Sequence, residues 1–186
     1  MKTPAQKAFT LIEILLVVAI IGLLASVVLA SLSQSKVKAN TAKRLENARQ
    51  IENALEVYYV NNKAYPSTGG SLESACTTWG GYANTGASAW IPNLAPTYIQ
   101  TLPTDPDSDG AAKCCYIYKS NGTDYKLMFG YGSGVNACTP LVGTYGTYPR
   151  FIDPARDNGS NTSLQDWNGV STLIDWATYS AGGAAF

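Results

Sequence analysis

The 186-residue sequence contains no histidine. That removes the commonest general base at neutral pH and the commonest metal ligand together. Charge is sparse, 14% of residues, and balanced at 13 basic and 13 acidic. A balanced chain has no bulk field to attract a polyanion, so net charge argues against nucleic acid as a partner. The only cysteines are Cys76, Cys114, Cys115 and Cys138, with no C-x-x-C pair among them. Without histidine they make a poor zinc site and are better suited to an oxidising compartment. Gly132-Ser133-Gly134 lacks the flanking spacing of a nucleophile elbow. These absences turn the reading away from catalysis.

What the sequence has in quantity is one apolar run, Phe9–Leu32, interrupted by a single charge at Glu13. Ile14–Leu32 gives 19 uncharged residues, close to the roughly 20 that a helix needs to cross a bilayer core. An ionised carboxylate at that depth costs on the order of 3 kcal/mol, so Glu13 implies a partner or a function. Lys2 and Lys7 precede the run without an acid, a positive flank that stays on the cytoplasmic side and sends the rest outward. Val28-Leu29-Ala30 before Ser31 offers a signal-peptidase type of site. Against that reading, the run is long, holds an acid and passes directly into a helical pattern.

From Ser33 to Asn62 the chain turns polar but keeps its rhythm. Val37, Thr41, Leu45, Ala48, Ile51, Leu55 and Tyr58 recur every three to four residues, one apolar stripe on a helix. Lys43, Arg44, Glu46, Arg49 and Glu52 are expected on a solvated face. Tyr65-Pro66 is expected to stop the helix, because proline disfavours helical geometry in the residue before it. Thr68–Ile99 reads as a long connection holding Cys76, Trp79, Tyr82 and Trp90, with one helical turn expected at Ser71–Ala75 and a short helix at Ile91–Thr101 reaching to Pro103. Cys115–Lys119, Tyr125–Phe129 and Leu173–Tyr179 are strand-like, and Asn121-Gly122 suits the hairpin turn between the first two. Tyr125, Leu127 and Phe129 share a face and should lie on the helix's apolar stripe. The fold class is α+β: a long N-terminal helix packed against a small antiparallel sheet. Its expected divisions are a leader, 1–8, a transmembrane and assembly helix, 9–32, an amphipathic continuation, 33–63, and a head, 64–186.

Two constellations in the head bear on chemistry. Asp105-Pro-Asp107-Ser-Asp109-Gly110 has the D-x-D-x-D-G spacing that can aim three carboxylates at calcium. Tyr116 stands where an EF-hand would carry its glutamate, and a plain solvated turn is the favoured reading. No other cofactor is expected. Cys114 and Cys115 are neighbours on a predicted strand and so point to opposite faces. Each can reach a different partner, Cys76 or Cys138, and the pairing is open. The aromatic residues are read chiefly as packing, with a ligand surface as the alternative.

The sequence Ala8-Phe9-Thr10-Leu11-Ile12-Glu13, after a short basic leader and before a helix of this length, resembles the type IV pilin family, which includes the pseudopilins of type II secretion. Ala8 departs from the family's usual glycine, and Ala30 from a frequent proline, leaving Gly22 as the weak point of the helix. Tyr65-Pro66 and the stretch Tyr98–Pro106 also resemble secretion pseudopilins. In that family calcium is held in a later loop, a pattern that Asp153 and Asp157 do not reproduce. The resemblance implies cleavage between Ala8 and Phe9 by a prepilin peptidase, methylation of the new amino terminus, and pairing of Glu13 with the Phe9 amine of its own or a neighbouring copy. It implies as partners the membrane before assembly, inner-membrane assembly machinery and further copies of the chain in a helical filament. Longer loops and two expected disulfides favour an extracellular pilus-like filament over a secretion pseudopilus. A membrane-anchored module binding glycan or DNA is the further alternative. Intact-mass analysis of the mature protein is expected to give a chain beginning at Phe9, N-methylated. A start at Ser31 would identify an ordinary secretory signal instead.

Overall fold

The computed structural model of the chain describes residues 10–111, 113–131 and 176–183. One helix, α1, runs over Leu11–Asn62. No proline lies between Pro4 and Pro66, and the helix continues through Gly22. It ends at Lys63, whose φ of 57° is left-handed. The Lys63 N–H donates to the Tyr59 carbonyl at 2.8 Å, the single bond of a left-handed C-terminal cap. The stop therefore comes before Tyr65-Pro66, and the cap residue carries it.

The chain divides into two compact units, Met1–Lys38 and Ala39–Phe186. In the first, Leu11–Leu29 is long and apolar enough to span a membrane, and none of it is buried within the chain. In the second, three antiparallel strands lie in the order β1 (Cys115–Ser120), β2 (Tyr125–Tyr131) and β3 (Trp176–Tyr179). Ser120 pairs with Tyr125, and Lys126 with Tyr179. Residues 121–124 form the hairpin loop, where the Asn121 side-chain oxygen accepts the N–H groups of Thr123 and Asp124 at 2.9 Å. Gly122 alone takes a positive φ there, 92°. The loop thus needs one left-handed residue, not two.

Alternation along the strands creates two faces. Tyr116, Tyr118, Tyr125, Leu127 and Phe129 pack with Ala48, Ile51, Ala54 and Leu55 of α1, joined by Trp90, Ile91, Leu94 and Leu102 from the connection. The opposite face carries Cys115, Ile117, Met128 and Ala177, with Cys76, Leu72 and Trp79 laid over it. The sheet is therefore covered on both sides, whereas the sequence reading placed only one face against a partner.

The connection has no helical turn at 71–75, and 91–101 is not a continuous helix but a run of turns, in which the Tyr98 N–H donates to the Leu94 carbonyl at 2.9 Å. Glu73 instead exchanges two 2.9 Å backbone hydrogen bonds with Tyr118, closing the outer edge of β1. Over 91–101 the chain holds Pro92 and Pro96, with Asn93 at φ 60°. Missing donors and a left-handed residue leave turns where a helix was expected. A 3-10 turn at Thr77–Trp79 follows Cys76. Cys76 is bonded to Cys115 across 6.0 Å between α-carbons, fastening the connection to the outer face of the sheet. Cys114, buried with φ 56°, is also disulfide-bonded. Its partner lies outside the described residues, as do Cys138, Asp153, Asp157 and residues 173–175. Non-reducing peptide maps are expected to show Cys76–Cys115 and Cys114–Cys138 with no free thiol. Cys76→Ala should destabilise the head by about 2–5 kcal/mol, read by denaturant titration. A Cys114–Cys115 bridge would contradict this arrangement.

Candidate assembly site and buried charge cluster

At the start of α1, Thr10 and Glu13 bind each other reciprocally. The Thr10 N–H and hydroxyl both donate to Glu13 Oε2 at 2.8 Å, and the Glu13 N–H donates to Thr10 Oγ1 at 3.3 Å. This is a capping box, in which two otherwise orphaned N–H groups of the first turn are satisfied by side chains. The negative charge also sits at the positive end of the helix dipole. Thr10-Leu11-Ile12-Glu13 carries the sequence signature of that motif, which the sequence reading passed over by treating Glu13 as an isolated charge. The capping box gives the carboxylate partners inside its own first turn while leaving Oε1 without a bond among the described residues. Ala8 and Phe9 lie outside those residues, and with them the expected pairing of Glu13 with the Phe9 amine.

A second constellation was not foreseen. Arg44, expected on a solvated face, is 1% exposed. Its Nε and Nη2 donate to the two oxygens of Asp105 at 2.6 and 2.9 Å, and Nη2 reaches Asp107 Oδ2 at 2.9 Å. Asn40 Nδ2 donates to both Asp107 oxygens at 2.8 Å, and Asn47 Nδ2 to the Tyr116 hydroxyl at 3.0 Å. The Asp107 N–H turns back to Asp105 Oδ1 at 2.9 Å. Desolvation alone would lower the pKa of Arg44. The Asp105 bonds and the charges of Asp105 and Asp107 outweigh it, and the value rises above the ordinary one. Burial likewise pushes the Tyr116 phenol up, helped by the Asp105 charge and opposed by its bond from Asn47.

Position, not residue type, was the missed signal. Arg44 lies three residues after Thr41 and four before Ala48, both buried. It therefore falls inside the stripe that the periodicity had defined. The bidentate fork of arginine is suited to a carboxylate held in a dry site.

The three aspartates considered for calcium have other partners. Asp105 and Asp107 face the Arg44 guanidinium, which supplies the positive charge there. Asp109 Oδ1 accepts the N–H groups of Ala111 and Lys113 at 2.9 Å, closing its own turn. Among the described residues no group of three or more histidine, cysteine, aspartate or glutamate side chains is arranged to hold a metal ion. Trp90, considered as part of a ligand surface, is 1% exposed and belongs to the core.

The model of the prokaryotic N-terminal methylation motif matches residues 3–29. Similarity to curated proteins extends well past it. The type II secretion system core protein G of Escherichia coli K12 is 38% identical over 109 residues, covering 56% of this chain and 68% of that protein. The core protein G of Pectobacterium carotovorum is 32% identical over 131 residues, 66% of this chain and 67% of that protein. That of Aeromonas hydrophila is 32% identical over 114 residues, 57% and 71% of the two chains. No solved structure gives a significant match. A methylation motif, an apolar first helix with a capped glutamate, and a helix-on-sheet head shared in sequence with core protein G make this chain a member of the type IV pilin and pseudopilin family.

Proposed function

We propose that the chain is the structural subunit of a type II secretion pseudopilus, polymerised from a membrane-held precursor after removal of residues 1–8. The observation that carries this reading is the reach of the similarity. The methylation motif ends at residue 29 and belongs to pilins generally, whereas the likeness to core protein G spans 131 residues in one relative. It must therefore include head residues, well beyond the motif. The longer loops and disulfides that favoured a surface pilus weigh less. The Cys76–Cys115 bond holds a connection onto the chain's own sheet, a task equally useful in either filament.

On this reading the chain performs no catalysis. Prepilin peptidase acts on Ala8-Phe9, and the membrane holds the apolar helix until inner-membrane machinery adds it to the filament. Glu13 enters that step already held by Thr10 through one oxygen. It pairs with the Phe9 amine of a neighbouring copy, and that pairing aligns subunits whose apolar contacts have no direction of their own. Glu13→Val should remain folded, inserted and cleaved, yet enter filaments at least about tenfold less, a loss of roughly 1.4 kcal/mol in assembly. Filament counts beside a cleavage assay check this, and normal filament numbers from Glu13→Val subunits alone would contradict it. Deleting the gene separates the two filaments. Loss of protein release into the medium with surface pili intact supports the pseudopilus; loss of pili with normal release supports a pilus.

A further inference from the structure

The second half of α1 is held to the head by two unlike kinds of contact. The apolar kind involves Ala48, Ile51, Ala54 and Leu55, small or aliphatic side chains repeated every three to four residues. Such a surface discriminates poorly between its own register and one slipped by a helical turn, about 5.4 Å. Apolar attraction is non-directional, and a slip of three residues sets Ala54 in place of Ile51, or Ile51 in place of Ala48. The polar kind includes the neutral bonds of Asn47 to the Tyr116 hydroxyl and of Asn62 to the Tyr98 hydroxyl, and above all the charged Asn40, Arg44, Asp105 and Asp107 cluster, whose bonds of 2.6 to 2.9 Å survive no such slip.

We infer that the Arg44–Asp105–Asp107 cluster is a register lock, with Arg44 the positioning residue that selects one alignment of α1 against the head. A buried ion pair is a weak source of net stability compared with apolar residues of similar size, but removing one partner strands the other. Its value here lies in what it forbids. In a slipped register Asn47 or Thr41 would face Asp105, and Arg44 would be carried to the place of Thr41, or to that of Asn47, opposite the Tyr116 hydroxyl and the Thr104 carbonyl. The loop side of the lock is itself fixed. Asp105 is oriented by the Asp107 N–H, and the segment is closed by the Cys76–Cys115 disulfide.

The consequence for assembly rests on the filament function proposed above. Thirty-one positions along the chain separate Glu13 from Arg44. A slip would leave that number unchanged but move by three or four residues the helix position that faces Asp105, and with it the count from the assembly carboxylate to the point where the head grips the helix. Copies differing in that count would not stack their heads alike.

The full chain in detergent micelles, as parent, Asp105→Asn and the double variant Arg44→Met/Asp105→Leu, provides the test. Asp105→Asn should lower Tm by several degrees, because Arg44 stays buried with a weaker partner. The double variant should regain a Tm within about two degrees of the parent, yet show more than one set of Ile51 and Leu55 methyl signals and faster amide exchange over residues 39–47. It should be cleaved and inserted normally but enter filaments poorly. A double variant with one set of signals, or one as destabilised as Asp105→Asn, would overturn the lock. A double variant with several sets of signals but normal incorporation would overturn its role in assembly. The spectra do not depend on which filament the chain builds, so a parent that builds no secretion filament would count against the proposed function alone.

Discussion

Leu11–Leu29 buries nothing within its own chain, and the rest of the molecule follows from that constraint. Fifteen leucine, isoleucine and valine side chains between Leu11 and Leu32 are exposed. At about 1.5–3 kcal/mol each for full burial, covering them is worth on the order of 30 kcal/mol. That exceeds the roughly 5–15 kcal/mol that holds an ordinary domain folded. The helix therefore has to be covered from outside, first by lipid and then by copies of itself. The same magnitude explains why Glu13 is tolerated: a cost near 3 kcal/mol is small beside the gain, and the Thr10 capping box gives the carboxylate local partners.

The head answers a different demand, to hold the second half of that helix. It does so with a sheet covered on both faces, a connection fastened through Cys76–Cys115, and a charge cluster that joins Arg44 to the connection. The first two supply cohesion. The third supplies direction, since a bidentate ion pair has one geometry and an apolar face has many. On the two proposals made above, charge serves alignment twice in this chain, as Glu13 in the apolar run and as Arg44 in the head.

The sequence displayed features that depend on local chemistry. Hydrophobic periodicity gave α1 and its buried stripe, and alternation gave β1, β2 and the helix-facing trio Tyr125, Leu127 and Phe129. It concealed features that depend on tertiary placement. Arg44 looked solvated because charge usually is, although its position between Thr41 and Ala48 belonged to the core. Asp105 and Asp107 read first as a solvated turn, with calcium the alternative, and the buried salt bridge was hidden because Arg44 lies 61 residues from Asp105. Residues 71–75 lacked any local reason to be extended, and Tyr118 provides the non-local one. The covering of the outer sheet face was missed, although alternation sets the apolar Ile117 and Met128 opposite the helix.

On the function proposed above, one charge pair aligns each subunit with its neighbour through Glu13 and the amino terminus created at Phe9. Carbodiimide treatment of filaments assembled from equal amounts of 14N- and 15N-labelled chains would join that amine to that carboxylate wherever they touch. The account predicts a cross-linked Phe9–Glu13 peptide pair in which about half the products mix the two labels, because the amine and the carboxylate come from different copies. Products carrying a single label only, or no such product from intact filaments, would contradict it.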